Sequence, residues 1–335
     1  MLRYLTRRLL LLIPTFIGIT LITFVVIRLA PGDPAAMKLQ AAQGTISSDR
    51  AALEVIAQTR KLYGLDQPIS VQYISWVKRV LTFDFGDSYK DHRPVLEKIA
   101  EALPITLLLN VITLFIIYVI AIPWGVFSAL SPNSVLDRLS ALILFILYSL
   151  PSFWIAILLI VYLGGGDHWN LFPIAGLMSD GAEKLPWHGQ LLNVLWHLVL
   201  PVLCLTYGGF SFLARFSRAT LLEVIQQDFV RTAYAKGLSR FRVMVHHAFR
   251  NALIPQLTLL GTLLPSLLGG SVIIEQIFSI PGMGRLGFEA VLSRDYPVVM
   301  AIATISALLT LVSLLLSDLL YLCVDPRIRF ERKGK

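Results

Sequence analysis

The chain alternates between long apolar blocks and short, strongly charged stretches, and the lengths of the blocks carry the first conclusion. A helix rises about 1.5 Å per residue, so crossing a hydrocarbon core of roughly 30 Å takes about 20 residues. Six blocks of that order occupy residues 9–27, 103–129, 139–163, 191–214, 252–274 and 298–317, none with an internal Asp, Glu, Lys or Arg. They predict an all-α membrane protein with six spanning helices. Pro104, Pro123, Pro151, Pro201, Pro255 and Pro265 punctuate the blocks, and in a membrane the backbone groups they free are satisfied by neighbouring helices or water. Between the first two blocks the pattern shifts to short helical periods. Ser48 and Asp49 can cap a helix through Leu62 that ends at Gly64, and Asp66-Gln67-Pro68 opens a second one through Trp76 to Leu81, broken by Gly86. The reading divides the chain into a first transmembrane helix (1–31), a helical segment outside the membrane (32–98), a main transmembrane domain (99–324) and a tail (325–335).

An even number of spans puts both ends of the chain on one side. With the N-terminus in the cytoplasm, sixteen lysines and arginines fall in inner segments, against Lys184, Arg285 and Arg294 in the two short outer loops. Positive charge is retained on the cytoplasmic side, and outer loops beyond about 60 residues do not vote. Both termini are therefore expected inside, with the long segment after the first helix outside. Composition agrees, with 56% hydrophobic and 15% charged residues. The net charge of +8 sits largely in those inner loops, where contact with anionic lipid accounts for it and nucleic acid is not implied. Arg7 and Arg8 precede an apolar run too long for a signal peptide and without a small-residue cleavage site, so the first helix is expected to stay. Cys204 and Cys323 lie in different spans, which predicts neither a disulfide nor a metal site.

The most informative stretch is the inner loop at 227–255. Leu222, Ile225, Phe229 and Ala233 recur at helical spacing, leaving Glu223, Gln226, Gln227, Asp228, Arg231 and Lys236 on other faces. Gly237 sits where this helix should stop and can take the left-handed conformation of a C-terminal cap. Leu238 follows, Ser239 can cap a second helix beginning near Arg240, and Phe241, Met244, Val245 and Ala248 restart the apolar stripe. The outcome is two short helices with a tight corner, spanning roughly 219–250. Such a corner suits a groove on a soluble partner, whose movement it would pass to the adjoining spans; it equally suits a helix pair lying on anionic lipid.

Other chemistry is sparse. No G-x-x-x-x-G-K-[ST] loop exists, since Gly164-Gly165-Gly166 is followed by Asp167-His168, so ATP is not handled here by that device. Gly209-Phe210-Ser211 and Gly269-Gly270-Ser271 give Gly-x-Ser within spans, but an intramembrane serine protease needs a base within hydrogen-bond reach. The histidine nearest a span, His197, is 14 residues from Ser211, about 21 Å along a helix. A proton-driven transporter would bury several acids or histidines along its path, and only Asp318 lies well inside a span, near enough to Asp325 to serve as a helix-end acid. Glu275 and Gln276 end the fifth span before a flexible Pro281-Gly282-Met283-Gly284 corner, where outer-loop packing and a gate are both open readings.

The chain resembles, nearly end to end, the membrane subunits of bacterial ABC importers of the dipeptide, oligopeptide and nickel permease family, and most the B-type dipeptide permeases. The resemblance rests on Ile13-Pro14-Thr15-Phe16, Pro31-Gly32-Asp33-Pro34, Tyr63-Gly64-Leu65-Asp66-Gln67-Pro68, Arg231-Thr232-Ala233 with Ala235-Lys236-Gly237-Leu238, Arg250-Asn251-Ala252 with Pro255, Ile277-Phe278 with Pro281-Gly282, Arg294-Asp295-Tyr296-Pro297 and Asp325-Pro326-Arg327. It implies a type I importer permease fold in the cytoplasmic (inner) membrane and a conduit working by alternating access. The implied partners are a homologous second permease, two ATP-binding subunits carrying ATP and Mg, and an extracytoplasmic solute-binding protein. No cofactor and no enzymatic step are implied on this chain. Residues Asp228, Phe229, Arg231, Thr232, Ala233, Lys236, Gly237, Leu238, Ser239 and Arg240 would couple to the ATPases, while Glu275, Gln276, Phe278, Pro281 and Gly282 would lie near the outer mouth. In the general motif, E-A-A-x3-G, a Glu and an Ala stand where this chain has Arg231 and Thr232, so no carboxylate contact carries over there. Peptide is the implied substrate, with nickel chelates or another small solute as the alternative.

Overall fold

Long apolar runs form long helices even across several internal prolines, and where one proline does act the helix bends. The computed structural model of the chain describes residues 2–29, 57–58, 61, 64, 66–164, 168–263, 267 and 270–324. All elements among them are helical: α1 (Leu2–Leu29), α2 (Ile69–Leu81), α3 (Val95–Leu130), α4 (Val135–Ser149), α5 (Ser152–Leu159), α6 (Trp187–Ile225), α7 (Asp228–Ala235), α8 (Arg240–Arg242), α9 (Arg250–Leu263), α10 (Val272–Ile277), α11 (Met283–Leu292) and α12 (Tyr296–Val324). Wide-turned π-helical stretches extend α5 through Ile160–Gly164 and join α8 to α9 through Val243–Phe249, and Ala182–Lys184 forms a short 3-10 turn.

Among the described residues, four helices are long and apolar enough to cross a membrane, at Leu10–Leu29, Val95–Leu130, Trp187–Ile225 and Tyr296–Leu316. The third expected span, 139–163, is not straight. It is the pair α4 and α5, bent by 91°. Leu150 is extended at φ −81° and ψ 129°, because the ring of Pro151 disfavours helix at the residue before it and supplies no N–H to continue the ladder. Pro104, Pro123, Pro201 and Pro255 leave α3, α6 and α9 unbroken. In the fifth expected span, 252–274, the described residues are helical through Leu263, at Leu267 and from Val272 onward, and Gly270 has φ +64°. The helix expected from Ser48 lies largely outside the described residues. The one expected from Asp66-Gln67-Pro68 is α2, ended earlier than Gly86 by Thr82 and by Phe83 at φ +56°.

The chain forms two compact units. In one, built from Met1–Leu103 and Leu286–Leu311, α2 is fastened to α1 by aromatic packing. Phe24 meets Tyr73 at 5.3 Å and Trp76 at 5.9 Å between ring centroids, and the Thr20 and Tyr73 hydroxyls are 3.1 Å apart; each such ring pair contributes about 0.5–1.5 kcal/mol beyond its area. The loop after α2 is tied to the turn before α12 through Asp295, which is buried and accepts from the Ser88 hydroxyl and from Tyr89 N–H at 2.9 Å. Lys98 bonds to both Ser88 and Asp91. Burial pushes the Asp91 carboxyl up, yet Lys98 and Ser88 outweigh it and hold it down at about 2. The contribution of a depressed carboxyl is complete above its ordinary pKa and is lost as pH falls from there through the folded value, so the tie persists through mild acid.

In the other unit, Pro104–Arg285 with Val312–Lys335, α3, α5, α6 and α10 share a core of Leu109, Ala156, Leu198, Leu200, Cys204, Ile274 and Phe278. The α3 and α6 backbones come together at Gly125, where a Cβ would stand 2.5 Å from the Ala214 carbonyl oxygen. Close by, Asp137 accepts from Arg218 Nε and Nη2, each at 2.7 Å, from Asn133 N–H at 2.9 Å and from the Ser128 hydroxyl. This side chain is 5% exposed. It joins α3, the α3–α4 turn and α6 at one point.

Candidate functional site

Two places collect the residues singled out from sequence. The first is the corner that follows α6. Gln226 ends α6, Gln227 is extended at ψ 148°, and α7 begins at Asp228. The restart rephases the apolar stripe. Leu222 and Ile225 are half-buried against this cluster and Ala233 is buried, as expected, but Phe229 is 42% exposed and Val230, at 1% exposure, takes its place in the stripe. A single 3.6-residue period cannot be carried across two residues that leave the helix.

Lys236 closes α7 and Gly237 follows at φ +76°. Gly237 N–H donates to the Tyr234 carbonyl at 2.9 Å and Leu238 N–H to the Ala233 carbonyl at 3.4 Å, the two-bond Schellman closure. Leu238 packs into the same cluster as Ala233, which supplies the hydrophobic contact that accompanies this motif. Ser239 opens the next turn, its carbonyl accepting from Val243 N–H at 3.0 Å. The second stripe is also corrected. Val243 and Ala248 are buried, Met244 packs beside them, and Phe241 is 76% exposed, with Val245 exposed as well. The cause is the π-helical stretch, whose i→i+5 bonding puts residues five apart on one face.

Val230, Ala233, Val243, Ala248 and Ala252 pack with Ala129 of α3 and Leu221 of α6. The corner is thereby joined to two candidate spans. The Asp228, Phe229, Arg231, Thr232, Lys236, Gly237 and Ser239 surface stays open to solvent. Within it Asp228 and Arg231 approach to 3.7 Å and the Thr232 hydroxyl donates to the Asp228 carbonyl at 2.9 Å; an exposed pair at this distance contributes about 0–1 kcal/mol. Arg240 begins α8, and its side chain lies outside the described residues.

The second place is the turn between α10 and α11. Glu275 is 0% exposed. Its carboxylate accepts from the Thr106 hydroxyl at 3.1 Å, from the N–H groups of Ser271 at 3.3 Å and Arg285 at 3.0 Å, and from Gly284 N–H. Thr106 Oγ1 in turn accepts from Met283 N–H at 2.8 Å. The acid thus caps the first turn of α11 from another element, where unpaired N–H groups and the helix dipole favour negative charge. Phe278 and Gly282 are buried, and Gln276 and Pro281 are exposed. Glycine is required around the carboxylate: a Cβ on Gly282 would stand 2.5 Å from both Glu275 Oε2 and Thr106 Oγ1, and one on Gly270 2.6 Å from Oε1. Gly282→Ala is expected to lower stability by about 1–3 kcal/mol through overpacking. Glu275→Gln, which sets an NH2 against backbone donors, should cost a similar amount. Thermal unfolding in detergent checks both, and unchanged midpoints would contradict the cradle.

The remaining candidates do not assemble. Ser211 is buried and donates to the Tyr207 carbonyl at 2.8 Å, while the His197 ring bonds the Asn193 carbonyl at 2.8 Å and lies 3.5 Å from Ser179 Oγ. Asp318 lies on α12, with its side chain outside the described residues. Sequence reading missed Val230 and Val243, and it counted Arg218 only as an inner charge; the Gln226-Gln227 pair is the signal that could have located the rephasing.

Comparison with known proteins agrees with these features. Residues 121–330 match the family model described as "Binding-protein-dependent transport system inner membrane component", and residues 1–110 match its N-terminal companion. The chain is 40% identical over 328 residues to the oligopeptide transport system permease protein AppB of Bacillus subtilis, covering 98% of this chain and 99% of the relative. It is 36% identical over 348 residues to the dipeptide transport system permease protein DppB of Escherichia coli K12, covering 99% and 100%. Among solved structures, the MetNI methionine ABC transporter superposes with a TM-score of 0.52 at 18% identity, covering 69% of this chain and 97% of that one, a likeness of fold alone. The chain belongs to the family of binding-protein-dependent transport system inner membrane components, multi-pass proteins of the inner membrane.

Proposed function

We infer that this chain is the pore-forming permease subunit of an ATP-driven importer that moves di- or oligopeptides by alternating access. The observation that carries the reading is the corner at 228–249, closed by Gly237 and joined by its buried side to Ala129 and Leu221. A partner that binds the exposed side of α7 differently in two states shifts the populations of the two spans it is packed against; a partner with equal affinity for both shifts nothing. In this reading Asp228, Phe229, Arg231, Thr232, Lys236 and Ser239 meet the partner, Arg240 adds a cation, and Ala233, Gly237 and Leu238 hold the corner's shape. The peptide substrate is supported by the names of the relatives.

The full reading has six spans with both termini in the cytoplasm, supported by residue placement and by the bent α4–α5 pair counting as one span. It assigns ATP and Mg to two partner ATP-binding subunits, and adds a homologous second permease and an extracytoplasmic binding protein. Glu275, Gln276, Phe278, Pro281 and Gly282 form a fixed shoulder at the outer mouth rather than its moving lip, because motion of Glu275 would break all of its hydrogen bonds. Asp318 acts as a helix-end acid. Proteoliposomes holding the assembled complex should accumulate a labelled peptide only when ATP is supplied. Accumulation by this chain alone would contradict the reading.

A further inference from the structure

We propose that the unit built from residues 1–103 and 286–311 carries a binding site for the phosphodiester headgroup of a membrane glycerophospholipid, in a cleft of about 660 Å³ at the ends of α1 and α12. The cleft is lined by Phe24, Arg28, Trp76, Arg79, Tyr89 and Tyr296, with Asp84 and Asp87 also in its lining. Neither guanidinium has an ion-pair partner among the described residues. Arg28 stands 5.5 Å over the Phe24 ring, a position that leaves its N–H edge for an acceptor. Arg79 passes close to Gly86, where an added Cβ would lie 3.5 Å from its Nη1.

Position selects the ligand. The apolar span of α1 ends at Leu29 and that of α12 begins at Tyr296, so Arg28 and Tyr296 stand where hydrocarbon gives way to headgroups. Trp and Tyr are enriched at that level. Leu21, Ile22, Val25, Val26 and Leu29 of α1 are exposed and offer apolar surface to an acyl chain next to the cleft. A guanidinium meets a phosphate with two parallel N–H donors, and half-buried Arg28 with exposed Arg79, neither ion-paired to a carboxylate among the described residues, supply that set. Asp84 Oδ1 accepts from Gly86 N–H at 2.9 Å, and Asp84 together with Asp87 presents negative charge to a headgroup bearing an ammonium. The charges together fit a phosphoethanolamine headgroup.

The test uses the assembled complex in nanodiscs of equal phosphatidylethanolamine and phosphatidylglycerol, with retained lipid read by native mass spectrometry on release. The native chain should keep phosphatidylethanolamine in preference to phosphatidylglycerol. Arg28→Gln with Arg79→Gln should lower the retained amount at least about tenfold, as loss of two charge-assisted contacts implies. Ser75→Trp, which fills the cleft and keeps both arginines, should do the same, and the double lysine variant should retain more than the double glutamine one. Displacement by acyl-free glycerophosphoethanolamine would assign the site to a soluble phosphodiester; failure to displace assigns it to the lipid. Equal retention in native and double glutamine chains overturns the site, and equal retention of the two lipids by the native chain overturns the headgroup assignment.

Discussion

Replacing Gly237 with valine is expected to lower ATP-driven uptake at least about tenfold, while asparagine at the same position leaves it near the native level. The two variants separate backbone from contact. Gly237 has φ +76° and nothing within 4 Å of where a Cβ would be, so a side chain there meets no clash and its cost is conformational alone. A β-branched residue held in the left-handed region costs about 1–3 kcal/mol, whereas asparagine visits it readily. About 1.4 kcal/mol is a factor of ten in an equilibrium. Valine therefore opens the bonds from Gly237 to Tyr234 and from Leu238 to Ala233, and the surface of α7 loses its fixed relation to α3 and α6. Uptake and ATP hydrolysis are measured together in proteoliposomes. Valine should separate them, with hydrolysis continuing and transport lost. Equal behaviour of the valine and asparagine variants would contradict a backbone role.

Arg218→Ala is expected to destabilise the chain by about 3–5 kcal/mol, the cost of leaving a buried charge without its partner. Asp137 would keep Ser128 and Asn133 as donors and lose both guanidinium bonds. Its neighbourhood offers no slack, since α3 and α6 already touch at Gly125. Removing both charges in Asp137→Ala with Arg218→Ala should cost less than the single change, because no buried carboxylate remains. Thermal unfolding in detergent and the amount of folded protein in membranes report the difference. A single variant no less stable than the double would show that the pair is not what joins these helices.

Much of the fold is legible in block length and breakers. The apolar runs at 9–27, 103–129, 191–214 and 298–317 correspond to helices, with Pro14, Pro104, Pro123 and Pro201 carried inside them. The run at 139–163 holds Pro151 and bends there, although the same residue type at 104, 123, 201 and 255 does not end its helix. Local chemistry alone does not separate these cases. A proline breaks or merely shapes a helix according to whether neighbours satisfy the freed carbonyl, which is a tertiary property. At the corner, Gly237 was readable because a left-handed cap has a residue preference, whereas Val230 and Val243 were not, since their burial depends on where a helix restarts and on π-helical bonding. The Asp137–Arg218 pair joins positions 81 residues apart, and the Glu275 cradle draws Thr106 from 169 residues away. No periodicity encodes such pairings.

In the proposed function, the exposed side of the corner at 228–249 faces an ATP-hydrolysing partner in the cytoplasm. The direct measurement is cross-linking from Lys236→Cys in a chain whose Cys204 and Cys323 are replaced by serine, within the assembled complex in inside-out vesicles. A covalent product with the ATP-binding subunit is expected, with a yield that changes when ATP is added. Absence of that product, in vesicles where the complex still transports, would contradict it.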